Sequence, residues 1–203
     1  MSKTETKSTV LLKHHLKQLK SPTMQGECDK IAQRCAAENV DHMAFLLQLC
    51  ELELIERERK AAERRLKAAQ FPNHKTLESF DFTAQPAVNK PLVLELVKGD
   101  YLDRRENLLL VGNSGTGKTH LATALGVSGI SHWGKRVRFF STVDLVNALE
   151  QEKAAGKAGR IALGLLRMDL VILDELGYLP FSQAGGALLF HLLSKLYEHT
   201  SVM

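Results

Sequence analysis

The residues with the clearest chemistry form a glycine-rich loop in the middle of the chain, residues 112–119, here called the glycine loop. Its sequence, GNSGTGKT, fits the pattern G-x-x-x-x-G-K-[ST], in which glycines turn successive backbone N–H groups inward around an anion. Lys118 can reach the outer phosphates of a nucleoside triphosphate, and the Thr119 hydroxyl can ligate Mg²⁺. The predicted phosphate-binding residues are Gly112, Asn113, Ser114, Gly115, Thr116, Gly117, Lys118 and Thr119.

Two adjacent carboxylates lie 56 and 57 positions after Lys118. The apolar run 170–173 ends in Asp174 and Glu175, a pattern typical of a Walker-B strand. Such a strand would deliver Asp174 beside Mg²⁺ held at Thr119, and would place Glu175 where a general base polarises the attacking water. Alone, two acidic residues after a strand are typical of a turn or a helix cap. Together with the glycine loop, they favour hydrolysis of a nucleotide over phosphorylation of a small molecule.

Basic residues form a second candidate site in the first third of the chain. The first 75 residues carry 14 lysines and arginines against 10 acidic residues, which accounts for the whole net charge of +4. The spacing of Arg57, Lys60, Arg64 and Lys67 places them on one helix face, where they suit the phosphate backbone of DNA. Three of them also follow an acidic residue by four positions, an arrangement that stabilises a solvated helix by about 0.2–0.5 kcal/mol per pair. The spacing alone leaves both interpretations open.

The elements that must position these residues change character near residue 72. Apolar spacing predicts helices over 10–20, 24–39 and 41–69, with Ser21 or Thr23 as the cap of the second. A mixed segment and a helix over 91–98 follow. Strand and helix signals then alternate, which indicates an α/β fold with a parallel sheet flanked by helices. The predicted strands are 107–111, 136–140 and 170–173; the predicted helices are 118–133, 142–154, 159–167 and 184–198.

This organisation predicts a helical domain over 1–70, a linker over 71–98 and a nucleotide-binding core over 99–203. Because Ser201 opens a further strand three residues before the sequence stops, we expect the core to be incomplete at its C-terminus. No apolar run approaches the roughly 20 residues that span a bilayer, and the polar N-terminus does not have the pattern of a secretory signal. The three cysteines have no Cys-x-x-Cys spacing, which favours a reduced, cytoplasmic setting.

Four segments together resemble the IstB-type ATP-binding proteins, which are transposition helpers of insertion sequences and are similar to DnaC-type helicase loaders among the AAA+ ATPases. The glycine loop alone would fit many NTPases, and the combination is far more specific. The matching segments are ERERKAAERRLKAAQFP at 56–72, KTLESFDF at 75–82, GNSGTGKTHLA at 112–122, and LDELGYLPFSQAGGALLFHLLSKLYEHTSV at 173–202.

The resemblance implies ATP binding with Mg²⁺, ATP-driven self-assembly on double-stranded DNA, and assistance to a partner transposase. By position, the glycine loop takes the nucleotide, Asp174 takes the metal with Thr119, and Glu175 with Lys118 performs catalysis. The sequence stops before the sensor residue and the arginine finger of AAA+ ATPases. Since such a finger contributes about 10³–10⁵ in rate, the chain is expected to bind ATP far better than it hydrolyses it.

Three alternatives to a transposition helper remain. A helicase loader has the same fold and a different partner, and a non-hydrolysing remnant of a mobile element would fit the early C-terminus. A P-loop kinase of small metabolites would leave the basic helix unexplained. Phe80, Phe82 and Tyr178 are candidates for the border of an adenine site, but aromatic residues at such places more often serve packing. We therefore assign no role to them or to His120.

Overall fold

The computed structural model describes residues 7–177 and 182–203. Within this part of the chain there are nine helices and three strands. In chain order they are α1 (Lys7–Gln18), α2 (Pro22–Ala37), α3 (His42–Ala69), α4 (Lys90–Leu96), α5 (Asp100–Asp103), α6 (Lys118–Trp133), β1 (Val137–Ser141), α7 (Thr142–Ala154), α8 (Arg160–Leu165), β2 (Leu170–Asp174), α9 (Gln183–Leu196) and β3 (Ser201–Val202). Every predicted helix is found, with ends that differ by at most three residues.

The chain forms two compact units, Met1–Ala61 and Ala62–Met203, and the boundary between them falls inside α3. The domain limits expected from the sequence, at residues 70 and 98, stay a prediction.

Of the helices among residues 7–177 and 182–203, none combines the length and the apolar character that crossing a membrane requires.

The first unit is built from α1, α2 and the N-terminal part of α3. Its buried core joins one face of α2 to one face of α3 and consists of Cys28, Ile31, Cys35 and Leu49. The three α2 members follow one another at spacings of three and four, so they lie on the same side of that helix. The two cysteine thiols here are free and packed as small apolar groups.

A buried carboxylate, Glu53, caps α2 from the neighbouring helix. Its Oε2 accepts hydrogen bonds from the backbone N–H groups of Thr23 at 2.8 Å and Met24 at 3.0 Å. Ser21 occupies the N-cap position, but its side chain makes no capping bond. Burial acts to raise the pKa of Glu53, but the Arg57 guanidinium and the two backbone donors lower it, and the net pKa lies below its usual range. The cap expected from Ser21 or Thr23 is thus supplied by a residue about 30 positions away.

The second unit contains a parallel sheet of order β1-β2-β3. Val137 pairs with Leu170, and Leu170 pairs with Ser201 on the other side, which makes β2 the central strand. Its first four residues are all buried, as expected for a parallel strand covered on both faces. The α/β prediction of a parallel sheet flanked by helices is therefore confirmed.

Alternate residues of β2 face two different helical layers. Val171 and Leu173 pack in a core with α7, α8 and α9. Leu170 and Ile172 pack in a core with α5, α6 and the last turns of α3. Because side chains alternate along a strand, this central strand is held between two layers and its C-terminal end is fixed in position.

The predicted strand over 107–111 is wrong: this segment belongs to no strand of the sheet. Its one backbone bond to the sheet runs from the Leu108 N–H to the Val202 carbonyl, at 2.9 Å. The neighbouring strand β3 offers only two residues, so the rest of the segment finds no partner. Leu109 and Val111 are accordingly 79% and 83% exposed, rather than buried as the apolar run suggested.

Candidate functional site

The glycine loop lies between segment 107–111 and α6. Gly117 is the N-cap of α6 and has φ +82°, and Gly115 has φ +78°, so both adopt the left-handed conformation that glycine tolerates best. Lys118 and Thr119 are then the first two residues of the helix. Free backbone N–H groups and the positive end of the helix dipole are therefore placed at the loop, as an anion-binding site requires.

Polar side chains of the loop are bonded to its own carbonyl groups. The Lys118 ammonium donates to the carbonyl oxygens of Gly112 at 2.8 Å and Asn113 at 2.7 Å. The Thr116 hydroxyl also donates to the Asn113 carbonyl, at 2.8 Å. These bonds connect the two ends of the glycine loop and hold the Lys118 ammonium against its backbone.

The end of β2 meets the start of α6 through one side-chain hydrogen bond. The Thr119 hydroxyl donates to Asp174 Oδ2 at 2.8 Å, which joins two residues that are 55 positions apart. The buried Thr142 hydroxyl, at the start of α7, donates to the Asp174 carbonyl at 2.6 Å and fixes the strand end from the other side. The structure thus brings together the two residues that the sequence nominates for Mg²⁺.

Glu175 follows directly, with an exposed side chain and a backbone φ of +62°. Left-handed angles are uncommon for residues other than glycine, asparagine and aspartate, so the chain makes a forced turn immediately after the strand. The segment 178–181 of the DELGYLPF sequence, which includes Tyr178, lies outside the described residues. Within the described part, Asp174 is the carboxylate bonded to the glycine loop, and Glu175 stands beside it.

The oxygen donors at this point suit a small hard cation. In the described ranges there is no group of three or more His, Cys, Asp or Glu side chains that could hold a metal by itself. Mg²⁺ is usually bound through one or two protein oxygens, with waters and substrate phosphates completing its shell. The hydroxyl of Thr119 and the carboxylate of Asp174, 2.8 Å apart, fit that mode of binding.

Residues that the sequence left without a role support the glycine loop from outside. Phe80 is 8% exposed, and its ring lies where a side chain on Gly117 would be: a Cβ there would be 2.7 Å from Phe80 Cε2. The His120 ring meets the Phe80 ring edge-on, with centroids 5.2 Å apart. The FDF sequence around Phe80 signalled family membership but gave no indication of this contact.

The four basic residues of α3 differ in their surroundings. In the first unit, Arg57 is bonded to Glu53 at 2.8 Å and to the Lys20 carbonyl at 2.6 Å, while Lys60 forms an ion pair with Glu56 at 3.3 Å. In the second unit, Arg64 and Lys67 are exposed. The assignment of all four to DNA stays a prediction, with Arg57 the member most engaged in the protein's own structure.

A family model described as IstB-like ATP binding protein matches residues 14–203. A putative ATP-binding protein of insertion sequence IS21 from Pseudomonas aeruginosa is 36% identical over 188 residues, which are 93% of this chain and 71% of that relative. A putative ATP-binding protein of insertion sequence IS5376 from Geobacillus stearothermophilus is 32% identical over 182 residues, 90% of this chain and 72% of the relative. A third, from Sinorhizobium fredii, is 39% identical, and the chain covers 63% of its length.

Solved structures with the same fold come from replication proteins. A crystal structure of the DnaC helicase loader has a TM-score of 0.53 at 24% identity, with 68% of this chain and 76% of that chain covered. The AMPPCP-bound DnaA from Aquifex aeolicus has a TM-score of 0.52 at 27% identity; 66% of this chain matches 42% of that one. The fold of the second unit is that of the AAA+ P-loop domains, as the sequence predicted.

Proposed function

Because this chain belongs to the family of IstB-like ATP binding proteins, we propose that it binds ATP with Mg²⁺ at the glycine loop and hydrolyses it. The observation that carries the proposal is the bond from the Thr119 hydroxyl to Asp174, which joins the glycine loop to the end of β2. This bond supports the proposal because two hard oxygen donors, the Thr119 hydroxyl and the Asp174 carboxylate, lie 2.8 Å apart beside the glycine loop.

Each residue then has a distinct task. The backbone N–H groups of the loop and the Lys118 ammonium bind the phosphates, and Thr119 with Asp174 holds the cation. When bound, Mg²⁺ neutralises negative charge on the phosphate oxygens. Glu175, next along the chain, orients and deprotonates the attacking water.

Binding and hydrolysis are tested separately. The wild-type protein should bind AMPPCP with Mg²⁺, and Lys118→Ala should weaken binding by roughly 10- to 100-fold because it removes charge-assisted bonds to phosphate. Glu175→Gln should bind as wild type does but lose ATP turnover. Lys153→Ala, an exposed lysine of the same unit, is the matched control and should change neither. A folded wild-type protein that takes up no AMPPCP in the presence of Mg²⁺ would refute the proposal.

We also propose that exposed cations of α3 bind the phosphate backbone of double-stranded DNA. Lys60, Arg64 and Lys67 are the better test because Arg57 is bonded to Glu53 and its reversal would disturb the first unit. Reversing these three residues to Glu should weaken binding to all duplex sequences alike. It should also lower the salt dependence of log K by about 2.7 if each contacts one phosphate.

A control variant separates DNA contact from net charge. Lys153, Lys157 and Arg167 are exposed cations outside α3. Their combined reversal to Glu changes the net charge by the same amount and should leave binding to short duplexes within about twofold of wild type if long-range attraction is minor. Equal losses in both triple variants would contradict a specific role for α3.

The wider function that we propose is ATP-dependent assembly on DNA and assistance to a transposase. It is supported by relatives that are named as ATP-binding proteins of insertion sequences, and by a similar solved structure described as DnaA bound to AMPPCP and single-stranded DNA. Sedimentation with DNA and AMPPCP tests assembly: the wild type should form larger species than Lys118→Ala. Capture of a transposase, against capture of a replicative helicase, distinguishes the two partner classes.

A further inference from the structure

The segment 76–82, here called the linker turn, is fastened to the glycine loop through Phe80 and His120. His120 Nε2 lies 2.9 Å from the Thr76 carbonyl and 3.1 Å from Ser79 Oγ. Ser79 Oγ also donates to the Thr76 carbonyl, at 2.9 Å, which closes the turn on itself. The linker turn therefore has a defined conformation, and His120 holds it against the first turn of α6.

We propose that Phe80 and His120 are positioning residues, which keep the glycine loop in its anion-binding conformation so that nucleotide affinity depends on the linker turn. The inference rests on the proposed function and adds two residues to it. The ring of Phe80 occupies the space beside Gly117, the residue whose left-handed backbone sets the direction of Lys118. Displacing the ring would free that backbone to sample other angles.

The hydrogen-bond chemistry defines what His120 must supply. A carbonyl oxygen only accepts, so the Nε2 atom of His120 carries the proton and donates to Thr76. A glutamine amide can present an N–H donor at a similar distance along the side chain, whereas leucine fills similar space without a donor. His120→Gln and His120→Leu therefore separate the bond from the packing.

The apolar side of the contact is equally well defined. Phe80 is buried with Val93 and Leu121, and its ring also meets Phe82 with centroids 4.8 Å apart. A preorganised loop loses little conformational entropy when it binds a ligand. Contacts that fix the loop therefore raise its affinity even if they do not touch the ligand. Phe80→Leu keeps an apolar side chain but removes the ring from Gly117.

The experiment measures AMPPCP affinity with Mg²⁺ at a temperature well below every variant's unfolding midpoint, where lost global stability does not change affinity. His120→Leu and Phe80→Leu should each bind roughly 3- to 10-fold more weakly, the effect of one lost hydrogen bond or ordering contact. His120→Gln should stay within about twofold of wild type. The matched control is His191→Leu, which removes an exposed histidine of α9 in the same unit.

Amide hydrogen exchange distinguishes a positioning role from a general loss of stability, because it compares the protection that AMPPCP gives to each segment. In the wild type, AMPPCP should slow amide exchange in the linker turn as well as in the glycine loop. In His120→Leu, protection of the linker turn by AMPPCP should disappear.

The positioning role would be overturned if His120→Leu and Phe80→Leu bound AMPPCP as tightly as wild type while Lys118→Ala bound it more weakly. That result would leave the proposed function intact. Equal affinity losses in His120→Leu and His120→Gln would also overturn it, because the donor would then not matter. Absence of binding by wild type itself would instead refute the proposed function.

Discussion

Gly117→Ala should destabilise the second unit far more than Gly115→Ala, although both glycines have nearly the same backbone angles. Gly115 has φ +78° and Gly117 has φ +82°. An L-residue held in this region is strained by about 1–2 kcal/mol, and alanine regains about 0.4–1 kcal/mol by restricting the unfolded chain. For Gly115→Ala, where an added Cβ meets nothing within 4 Å, the net loss should be about 1 kcal/mol.

The same methyl group at Gly117 has no room. Its Cβ would lie 2.7 Å from Phe80 Cε2, closer than carbon atoms approach in proteins, and 3.3 Å from Cζ, which is also a tight contact. Forcing an extra methyl group into a packed contact usually adds about 1–3 kcal/mol. Gly117→Ala should therefore destabilise the unit by about 2–4 kcal/mol in total, and Phe80→Leu in the same chain should recover part of that loss.

Urea unfolding without nucleotide measures this directly. Trp133 is the single tryptophan, and its indole donates to the Val97 carbonyl at 2.9 Å, so its fluorescence reports on the second unit. The slope of the transition should be the same in all variants if only stability changes. Equal destabilisation by Gly115→Ala and Gly117→Ala would refute the inference that Phe80 packs against the loop.

Further outcomes are expected at three residues, Glu53, Thr142 and Glu56. Glu53→Gln should lower the free energy of opening of α2 by about 1–2 kcal/mol, because it weakens the charge-assisted hydrogen bonds to the N-terminus of that helix. The effect should be measured as faster amide exchange over 22–37. Since the folded pKa of Glu53 is lowered, the stability it contributes is present above its ordinary pKa of 4.5 and is lost as the pH falls below that value. Thr142→Val should destabilise the second unit by about 1 kcal/mol in urea, because the bond to the Asp174 carbonyl is lost. The carboxyl of Glu56, bonded to the Arg59 guanidinium, should titrate near its lowered pKa of about 2 by NMR.

Each of these outcomes has a matched comparison. Glu58→Gln, an exposed carboxylate on the same helix, should leave exchange in α2 unchanged. Thr142→Ser keeps the hydroxyl and should retain most of the stability that Thr142→Val loses. Arg59→Gln should raise the midpoint of Glu56 toward its ordinary value of 4.5, and a midpoint near 4.5 in the wild type itself would contradict the bonded geometry.

The order of helices and strands was predictable because the signals were local. Apolar spacing marked the helices, and the four-residue apolar run ending at Asp174 marked the central strand, whose burial on two faces requires such a run. The glycine loop was predictable for the same reason: its neighbours in sequence are also its neighbours in space. The nearness of Thr119 and Asp174 was predictable because an apolar strand ending in two carboxylates, in a chain with a glycine loop, is typical of a shared Mg²⁺ site. The direct hydrogen bond between them was not predicted.

What the sequence did not reveal depends on partners distant along the chain. The run 107–111 has the composition of a strand, but a strand must be hydrogen-bonded to a neighbouring strand. The two-residue strand β3 bonds only to the beginning of the run, at Leu108. The cap of α2 comes from Glu53, which lies 30 positions after Thr23 and has no local signature. The contact of Phe80 with Gly117 likewise joins residues whose proximity is set by the fold of the linker turn.

Glu175 has a left-handed backbone at the position where the proposed function requires its carboxylate. Its left-handed φ of +62° is an angle that glycine or asparagine would adopt at less expense in free energy. Under the proposed function, the carboxylate of Glu175 explains why neither of those residues stands here, and stabilising redesign should leave this position untouched.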